Sequence, residues 1–231
     1  MSKGIFVTGT GTGVGKTFIT ALLVKKLRDM GFDAGYYKAV LSGADWENGV
    51  LIARDAEYVN KVANIGASLD DMVSYVYEHA ASPHLAAKLE NKPVEVKKIL
   101  EDYNKASFRY EYLTVEGCGG IVCPIRMDEQ ELMLTNFIKA FNLNILIVST
   151  AKLGDINNVV LTVEYAKKMG FEIKGIILNK FCAGNILEED NRMIIEHLTK
   201  VPVIACVEEN ATEIEINDII SLYEENNKLW N

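Results

Sequence analysis

A glycine-rich segment near the beginning of the chain, residues 8–17, constrains the fold more than any other feature. Its sequence is TGTGTGVGKT; it follows the apolar run 4–7 and precedes residues 18–27, whose apolar side chains recur at helical spacing. Strand, glycine-rich loop, Gly-Lys-Thr and helix is the order of a phosphate-binding loop. In such a loop, backbone N–H groups converge on an anion and the helix N-terminus adds partial positive charge. The segment therefore predicts a nucleotide site.

The spacing within this loop departs from the usual one. Gly-x4-Gly-Lys-Ser/Thr requires its first glycine at Thr10, whereas Gly9 lies one residue earlier. A dinucleotide-binding Gly-x-Gly-x-x-Gly also fails, because Val14 or Lys16 stands where its last glycine would be. We expect Lys16 to reach the β- and γ-phosphates and the Thr17 hydroxyl to ligate magnesium. A flexible glycine turn would not account for a lysine and a hydroxyl at the start of the helix.

Strand-like apolar runs and helical patterns alternate along the rest of the chain. Further strands are predicted at 34–38, 112–116, 145–149, 173–178 and 201–205, and helices near 55–62, 83–89, 94–106, 131–141, 157–169, 188–199 and 213–226. Continuous apolar strands separated by amphipathic helices predict an α/β fold with a mostly parallel sheet covered on both faces. No repeat, low-complexity tract or long linker interrupts the pattern, so we expect one domain spanning residues 1–231.

The composition restricts the partners and the compartment. The chain has 24 basic and 32 acidic residues, a net charge of −8, which argues against nucleic acid or an anionic membrane as the main partner. No apolar run approaches the ~20 residues that span a bilayer, and no basic leader precedes the first strand. We therefore expect a cytoplasmic protein. The cysteines lack C-x2-C spacing, which indicates neither a zinc site nor a disulfide framework: Cys118, Cys123, Cys182 and Cys206.

Polar residues at the ends of the predicted strands are candidates for the site, because ligands of parallel sheets bind beyond the strands' carboxyl ends. Lys38 ends the second predicted strand and Glu116 the third. A buried acid without a partner is costly, so Glu116 requires a cation nearby and can hold magnesium. Asp55 at a helix start is ordinarily a cap. Asn179 follows the fifth strand and can hydrogen-bond a purine, while Cys182 interrupts a guanine-reading Asn-Lys-x-Asp.

Together these motifs resemble those of the dethiobiotin synthetases. The resemblance covers most of the chain and rests on residues 8–10, 12, 14–17, 37–38, 42–43, 55–56, 82–84, 115–117, 119–120, 152–154, 156–157 and 179. It implies a P-loop NTPase fold and a homodimeric ligase of biotin biosynthesis that uses ATP, Mg²⁺, CO2 and 7,8-diaminopelargonate (7,8-diaminononanoate). A carbamate and a carbamic-phosphoric anhydride would precede closure of the ureido ring, with ADP and phosphate as the other products.

The resemblance also implies roles for individual residues. The catalytic set would be Thr12, Lys16, Lys38 and Ser42. The nucleotide would be contacted by Gly13, Val14, Gly15, Lys16, Thr17, Glu116, Gly119 and Asn179, and Mg²⁺ by Thr17, Asp55 and Glu116. The diamine would be contacted by Lys38, Ser42 and Ser82 and, from the other subunit, by Gly154, Asp155, Ile156 and Asn157.

Three other classes of protein share parts of this pattern. Partitioning and cell-division ATPases, the main alternative, carry a lysine where Gly11 stands and often a membrane-binding segment. A related amidoligase would need a glutaminase domain, for which the chain has no room. A small-molecule kinase would not explain the motifs at 82–84 and 116–120. The dethiobiotin synthetases often have Pro-Trp near the adenine where this chain has 206–210, which predicts looser selection of the base.

Overall fold

A computed structural model describes residues 2–225 of the chain. The strands are β1 (Lys3–Gly9), β2 (Ala34–Ser42), β3 (Asp45–Glu47), β4 (Val50–Ile52), β5 (Val73–Tyr77), β6 (Tyr112–Glu116), β7 (Pro124–Met127), β8 (Glu131–Met133), β9 (Ile145–Ser149), β10 (Ile173–Asn179), β11 (Val203–Val207) and β12 (Glu224–Glu225). The helices are α1 (Lys16–Asp29), α2 (Arg54–Val62), α3 (Pro83–Leu89), α4 (Val96–Arg109), α5 (Leu134–Phe141), α6 (Asp155–Lys168) and α7 (Ile186–Thr199), with 3-10 turns at Leu69–Asp71 and Ile220–Leu222.

The central sheet has the strand order β11-β10-β9-β1-β6-β2-β5, and all of these neighbours are parallel. Strand β12 pairs antiparallel with the beginning of β1, and β3–β4 and β7–β8 form two separate hairpins. The register places Val7 opposite Glu116 and Glu116 opposite Lys38. The end of β1, which enters the glycine-rich loop, therefore lies beside these two charged residues.

Apolar side chains on the two faces of the sheet form two cores. Ile5 and Val7 of β1 pack with α1, α2 and the segment 211–223, whereas Phe6 points to the other face. That second face is covered by α3 to α7, with Phe137 and Val159 among its buried residues. Burying strands on both faces requires the continuous apolar runs that the sequence shows. The predicted α/β fold with a mostly parallel, doubly covered sheet is confirmed.

Several predicted element boundaries are wrong. Strand β2 continues to Ser42, so Lys38 lies in the middle of the strand rather than at its end. The last parallel strand covers Val203–Val207, not 201–205, and α4 ends three residues later than expected. The helix predicted at 131–141 begins only at Leu134, because Glu131–Met133 pairs with β7 in a hairpin.

Two further differences concern whole elements. Strand β5 at the sheet edge is absent from the predicted strands, although its sequence is rich in valine and tyrosine. The helix predicted at 213–226 does not form within the described residues. Ile214, Ile216 and Ile219 are buried there on the α1 face, in a segment that contains only a 3-10 turn and β12. The last residue of that prediction, 226, lies outside the described residues.

No helix among residues 2–225 combines the length and the apolar character needed to cross a membrane.

Candidate active site

The glycine-rich loop between β1 and α1 is held in shape by a side chain from β10. Asn179 donates a hydrogen bond from Nδ2 to the carbonyl oxygen of Val14, at 2.9 Å. Gly15, with φ of 94°, caps α1, and a Cβ at this position would lie 1.9 Å from Asn179 Nδ2. Only glycine fits both the left-handed backbone and this close approach. Gly9 ends β1, and a Cβ at this position would lie 2.9 Å from Val14 Cγ2. The glycine one residue before the usual position is therefore needed to make room for Val14.

Lys16 is the first residue of α1, and its side chain reaches back into the loop. Its ammonium donates to the carbonyl oxygen of Gly11 at 2.8 Å, and only 6% of the residue is exposed. Burial lowers the pKa of Lys16, with the negative charge of Glu116 opposing this effect. A cation that is already stripped of water interacts strongly with phosphate oxygens. The placement agrees with the predicted contact to the terminal phosphates.

Beside the loop, Lys38 joins two carboxylates in a buried cluster. Its Nζ donates to Asp55 Oδ2 at 2.5 Å and to Glu116 Oε1 at 2.7 Å, and Lys38 and Glu116 are almost completely buried. Thr17 Oγ1 donates to the same Glu116 oxygen at 2.8 Å. The Tyr36 hydroxyl donates to the other oxygen, Oε2, at 2.9 Å. Every carboxylate oxygen of Glu116 is thus hydrogen-bonded, which makes burial of this acid tolerable.

Burial and the neighbouring charges fix the protonation states of Lys38 and Tyr36 at neutral pH. Burial alone lowers the pKa of Lys38, but the charges of Glu116 and Asp55 outweigh this effect and raise the pKa. Burial and the charge of Glu116 raise the pKa of Tyr36 well above its ordinary value. Lys38 therefore remains a cation and Tyr36 remains a hydrogen-bond donor. The sequence predicted the meeting of Lys38 with Glu116, although not Lys38's position within the strand.

The three predicted magnesium ligands lie around Lys38. Thr17 and Lys38 share one oxygen of Glu116, and Asp55 accepts from the same ammonium. A hydroxyl and two carboxylates are hard oxygen donors of the type that Mg²⁺ prefers, and it usually adds phosphate oxygens and waters to few protein ligands. The residues thus fit a magnesium ion that completes its coordination from a nucleotide. Among the described residues, no group of three or more His, Cys, Asp or Glu side chains could form a metal site of its own.

A cleft of about 940 Å³ extends from the loop along the carboxyl ends of the strands. Most of the predicted site residues line it: Thr12, Gly13, Gly15, Lys16, Thr17, Lys38, Ser42, Asp55, Ser82, Glu116, Gly119 and Asn179. At one end lie Lys180, Glu209 and Asn210, and at the other the start of α3 at Pro83. Ser82 precedes this helix and its hydroxyl lies 3.1 Å from His84 Nδ1. The volume of the cleft is near the upper end of the range of about 300–1,000 Å³ for ligand pockets, which leaves room for a second substrate beside a nucleotide.

Asn179 has a structural task that the sequence did not reveal. Its amide nitrogen is occupied by Val14, so it is not free to donate to a base. Its Oδ1 is buried and has no hydrogen-bond partner within the described residues. That oxygen remains able to accept a hydrogen bond from an amino group. Tyr36 was missed by the sequence analysis, because a tyrosine in an apolar strand is ordinarily part of the core.

The start of α6, predicted to bind substrate, does not line this cleft. Gly154, with φ of 95°, precedes the helix. The carboxylate of Asp155 accepts hydrogen bonds from the preceding turn, from Lys152 N at 2.9 Å and from the Thr150 hydroxyl. Ile156 is half-buried and Asn157 is exposed. Within one subunit these residues therefore form a capped helix start away from the phosphate loop. Their predicted contact with the substrate of another subunit stays a prediction.

Comparison with known sequences gives matches over nearly the whole chain. A family model described as an AAA domain matches residues 3–215. The ATP-dependent dethiobiotin synthetase of Clostridium botulinum (strain Alaska E43 / Type E3) is 49% identical over 216 residues, which cover 94% of this chain and 95% of that protein. The protein of the same name from Clostridium perfringens (strain 13 / Type A) is 47% identical over 221 residues, covering 95% and 97%.

Comparison with solved structures gives more distant relatives. The septum site-determining protein MinD of Pyrococcus horikoshii, complexed with Mg-ADP, matches with a TM-score of 0.50 at 18% identity, covering 91% of this chain and 82% of that chain. The MinC:MinD cell division complex of Aquifex aeolicus matches with a TM-score of 0.53 at 13% identity, covering 90% and 82%. At these identities the likeness concerns the fold alone.

Proposed function

Because the chain belongs to the family of ATP-dependent dethiobiotin synthetases, which are ligases of biotin biosynthesis, we propose that it closes the ureido ring of dethiobiotin. The substrates are 7,8-diaminopelargonate and CO2, and ATP is cleaved to ADP and phosphate. The observation that carries this proposal is that the phosphate loop and the buried cluster of Lys38, Glu116 and Asp55 line the same cleft. A nucleotide site alone would not require a second buried cation in addition to the loop's own lysine.

The proposed reaction has three bond-forming steps. One amine of the substrate adds to CO2 and, after losing a proton, becomes a carbamate anion. A carbamate oxygen then attacks the γ-phosphorus of ATP, the bond to the bridging oxygen breaks, and ADP leaves. The second amine attacks the carbamoyl carbon, phosphate leaves with the bonding electrons, and the amine loses a proton as the five-membered ring closes. No general base is required at phosphoryl transfer, because the carbamate is already an anion.

The residues of the cleft supply positioning and charge for these steps. We assign Lys16 to the terminal phosphates and Lys38 to the transferring phosphoryl group and the carbamate, since electrostatic stabilisation supplies most of the catalysis in phosphoryl transfer. The backbone N–H groups of Gly13 to Thr17 hold the phosphates at the start of α1. Thr12 and Ser42 lie on the cleft wall, where their hydroxyls orient phosphate and carbamate.

Magnesium is the cofactor that the oxygen donors of this cleft support. Thr17, Asp55 and Glu116 would hold it, and when bound it would neutralise charge on the nucleotide phosphates. Lys38 touches both carboxylates, so its ammonium and the ion share the same acidic surroundings. The chain's own contribution is to hold the carboxylate of Glu116 in place in the cleft wall, which Tyr36 and Thr17 do by hydrogen bonding.

The diamine end of the cleft is assigned to Ser82 and the start of α3. We propose further that the protein is a homodimer and that the start of α6 in one subunit, at Gly154 to Asn157, receives the distal carboxylate of the substrate bound to the other. Exposed backbone N–H groups at a helix start favour an anion. The exposure of Asn157 and Leu153 on the surface of one subunit supports this arrangement.

The test is phosphate release from ATP and Mg²⁺, with and without 7,8-diaminopelargonate plus bicarbonate. We expect release to require both additions and dethiobiotin to appear in equal amount. Equal release without the diamine would contradict the proposal and would favour the cell-division type of ATPase, whose members share this fold.

Replacing the loop lysine tests the assignment within the site. We expect Lys16→Ala to lose about 3 kcal/mol or more of transition-state stabilisation, or more than about a hundredfold in kcat/KM, by comparison with other electrostatic groups. Lys25→Ala is the matched control, because Lys25 lies on the same helix and pairs with Asp29 at the surface. Turnover of Lys16→Ala close to that of the control would refute the role of the phosphate loop.

A further inference from the structure

Two cysteines lie together in the wall of the cleft, close to the phosphate loop. The Sγ atoms of Cys118 and Cys123 are 3.8 Å apart, and both residues line the cleft. Neither side chain has a part in the proposed reaction. Their separation of five positions matches no metal or disulfide motif, so the pair could not be recognised from spacing. Cys118 is half-buried, which leaves it accessible from the cleft to a small molecule.

The segment that contains the pair is anchored by a backbone hydrogen bond at each end and bends at a glycine between them. Gly117 N donates to the carbonyl oxygen of Val7 at 2.9 Å, and Leu134 N donates to that of Cys123 at 2.9 Å. Between these anchors, Gly119 adopts φ of 62°, which allows a tight bend. A disulfide has an S–S length of about 2.05 Å, so the sulfurs must approach by less than about 2 Å. Side-chain rotation with a small shift of this bend can supply that distance.

We propose that Cys118 and Cys123 form an oxidisable dithiol, which hydrogen peroxide converts into an intrachain disulfide that reversibly lowers the activity of the cleft. In the first step the Cys118 sulfur attacks one oxygen of the peroxide, the O–O bond breaks, and one water leaves, producing a sulfenic acid. In the second, the Cys123 sulfur attacks the sulfenic sulfur, the S–O bond breaks, and a second water leaves with the Cys123 proton. Two thiols lose two hydrogens and one peroxide is reduced to two waters.

The disulfide affects the cleft because its loop packs directly on the phosphate loop. A Cβ at Gly120 would lie 3.5 Å from the carbonyl oxygens of Gly9 and Thr10, and one at Gly119 would lie 3.4 Å from Cys123 Sγ. Pulling the sulfurs together therefore shifts Gly119 and Gly120 against the phosphate loop. A misplacement of about 1 Å in a catalytic site can cost up to ~100-fold in rate. We expect oxidation to lower turnover about tenfold or more.

The experiment treats the reduced full-length protein with about one equivalent of hydrogen peroxide and then counts free thiols. We expect the count to fall from the four of the sequence to two. No lysine or arginine lies between Arg109 and Arg126, so trypsin releases both cysteines in one peptide, 110–126. That peptide should become lighter by two hydrogens and should resist fragmentation between the two cysteines. A phosphine reductant should restore its mass, the thiol count and turnover.

Two serine variants separate this pair from the other cysteines. Cys182→Ser, at an exposed position outside the cleft, should lose the same two thiols and the same activity as wild type. Cys118→Ser should form no disulfide in peptide 110–126. Addition of oxygen to this peptide without loss of hydrogens, or a disulfide that leaves turnover unchanged, would overturn the proposal. If the chain did not turn over the diamine, the thiol count and peptide masses would still decide whether the disulfide forms.

Discussion

Lys38 shows how one buried cation organises the chemistry of the site. It lies in the middle of β2, with Glu116 opposite it on β6 and Asp55 at the start of α2. Without Lys38, two carboxylates would lie close together beside the place where phosphate is expected. The negative charge of these two carboxylates would repel a negatively charged substrate. The ammonium therefore serves both the stability of the protein and the binding of anions.

Removing the charge of Lys38 should damage both properties. We expect Lys38→Met to lower the free energy of unfolding by about 3 kcal/mol, because breaking a buried ion pair leaves an uncompensated charge, and to lower kcat/KM by about a hundredfold or more. The pKa of Lys38 is raised on folding, so its contribution to stability is complete below the unfolded value of about 10.4 and is lost only at higher pH. The stability difference between the variant and wild type should thus be constant from about pH 6 to about pH 9, measured by urea unfolding.

Lys174 provides the control for this experiment. It also contacts two carboxylates, Glu172 at 2.8 Å and Glu224, but it does not line the cleft. Lys174→Met should lose some stability and retain wild-type turnover. If Lys38→Met also kept its turnover and lost only stability, the proposed contact of Lys38 with substrate would be wrong.

Single residues were predictable where a motif carries the chemistry. Lys16 and Thr17 could be recognised because a lysine and a hydroxyl have no structural need at a helix start. Glu116 could be recognised because an acid that ends an apolar strand requires a cation when it is buried. Tyr36 could not be recognised, because its hydroxyl has a task only through a neighbour 80 positions away. The contact between Cys118 and Cys123 depends on the bend at Gly119, which no local pattern specifies.

At the scale of elements, the phosphate loop depends on a strand that is remote in sequence. The loop connects β1 to α1, but Asn179 at the end of β10 holds its backbone. Strand β10 reaches the loop because β9 alone separates it from β1 in the sheet. The sheet order therefore determines whether the loop has its binding shape.

Adding one methyl group to Gly15 tests this dependence. In Gly15→Ala the Cβ would clash with Asn179 and the positive φ would cost about 1–2 kcal/mol. We expect a loss of about 2 kcal/mol in ATP binding, or about thirtyfold in Kd, measured by calorimetry. Gly31→Ala is the control, because Gly31 has φ of 90° but no atom within 4 Å of the place where the added methyl group would lie. It should lower stability without changing ATP affinity. Wild-type affinity in Gly15→Ala would show that the contact does not matter.

Elements with one strong local signal were predicted well, and edge elements were not. Strands β6 and β9 match their predicted bounds because continuous apolar runs end sharply at polar residues. Strand β5 was missed because its partner β2 was expected to stop at Lys38, before most of the residues that pair with it. The segment 213–226 was predicted as a helix because Ile216, Ile219 and Tyr223 recur at near-helical spacing. In the structure these side chains are buried against the α1 face of the sheet, although the segment that carries them is irregular.

At the scale of the molecule, a homodimer with shared clefts predicts that two inactive variants restore activity when they are mixed, which separate subunits could not do. Lys16→Ala disables the phosphate end of a cleft, and Asn157→Glu should repel the substrate's carboxylate at the start of α6. If each cleft uses α6 from the partner subunit, a mixed dimer of the two variants contains one intact cleft. Random reassociation should restore about a quarter of wild-type turnover, since half of the dimers are mixed and each has one of two sites intact.

The measurement is turnover of the two variants separately and after unfolding and refolding together, at a diamine concentration far below the KM of Asn157→Glu. In the control, Lys25→Ala is refolded together with Asn157→Glu. The turnover of this mixture should not exceed the fraction of chains that keep an intact Asn157. Absence of any recovery in the first mixture would contradict a cleft shared between subunits. The sequence could suggest this sharing only through family resemblance, because the exposure of Asn157 does not identify what covers it.

The bond between Asn179 and Val14 joins residues 165 positions apart, which matters for how the protein is made. The glycine-rich segment leaves the ribosome before Asn179, since chains emerge N-terminus first. Its clamp, Asn179, is translated 165 residues after Val14. A nascent chain therefore carries the nucleotide motif before the strand that shapes it has been made. We therefore expect ATP to bind only after β10 has joined the sheet, so that the nucleotide does not assist the earlier stages of folding.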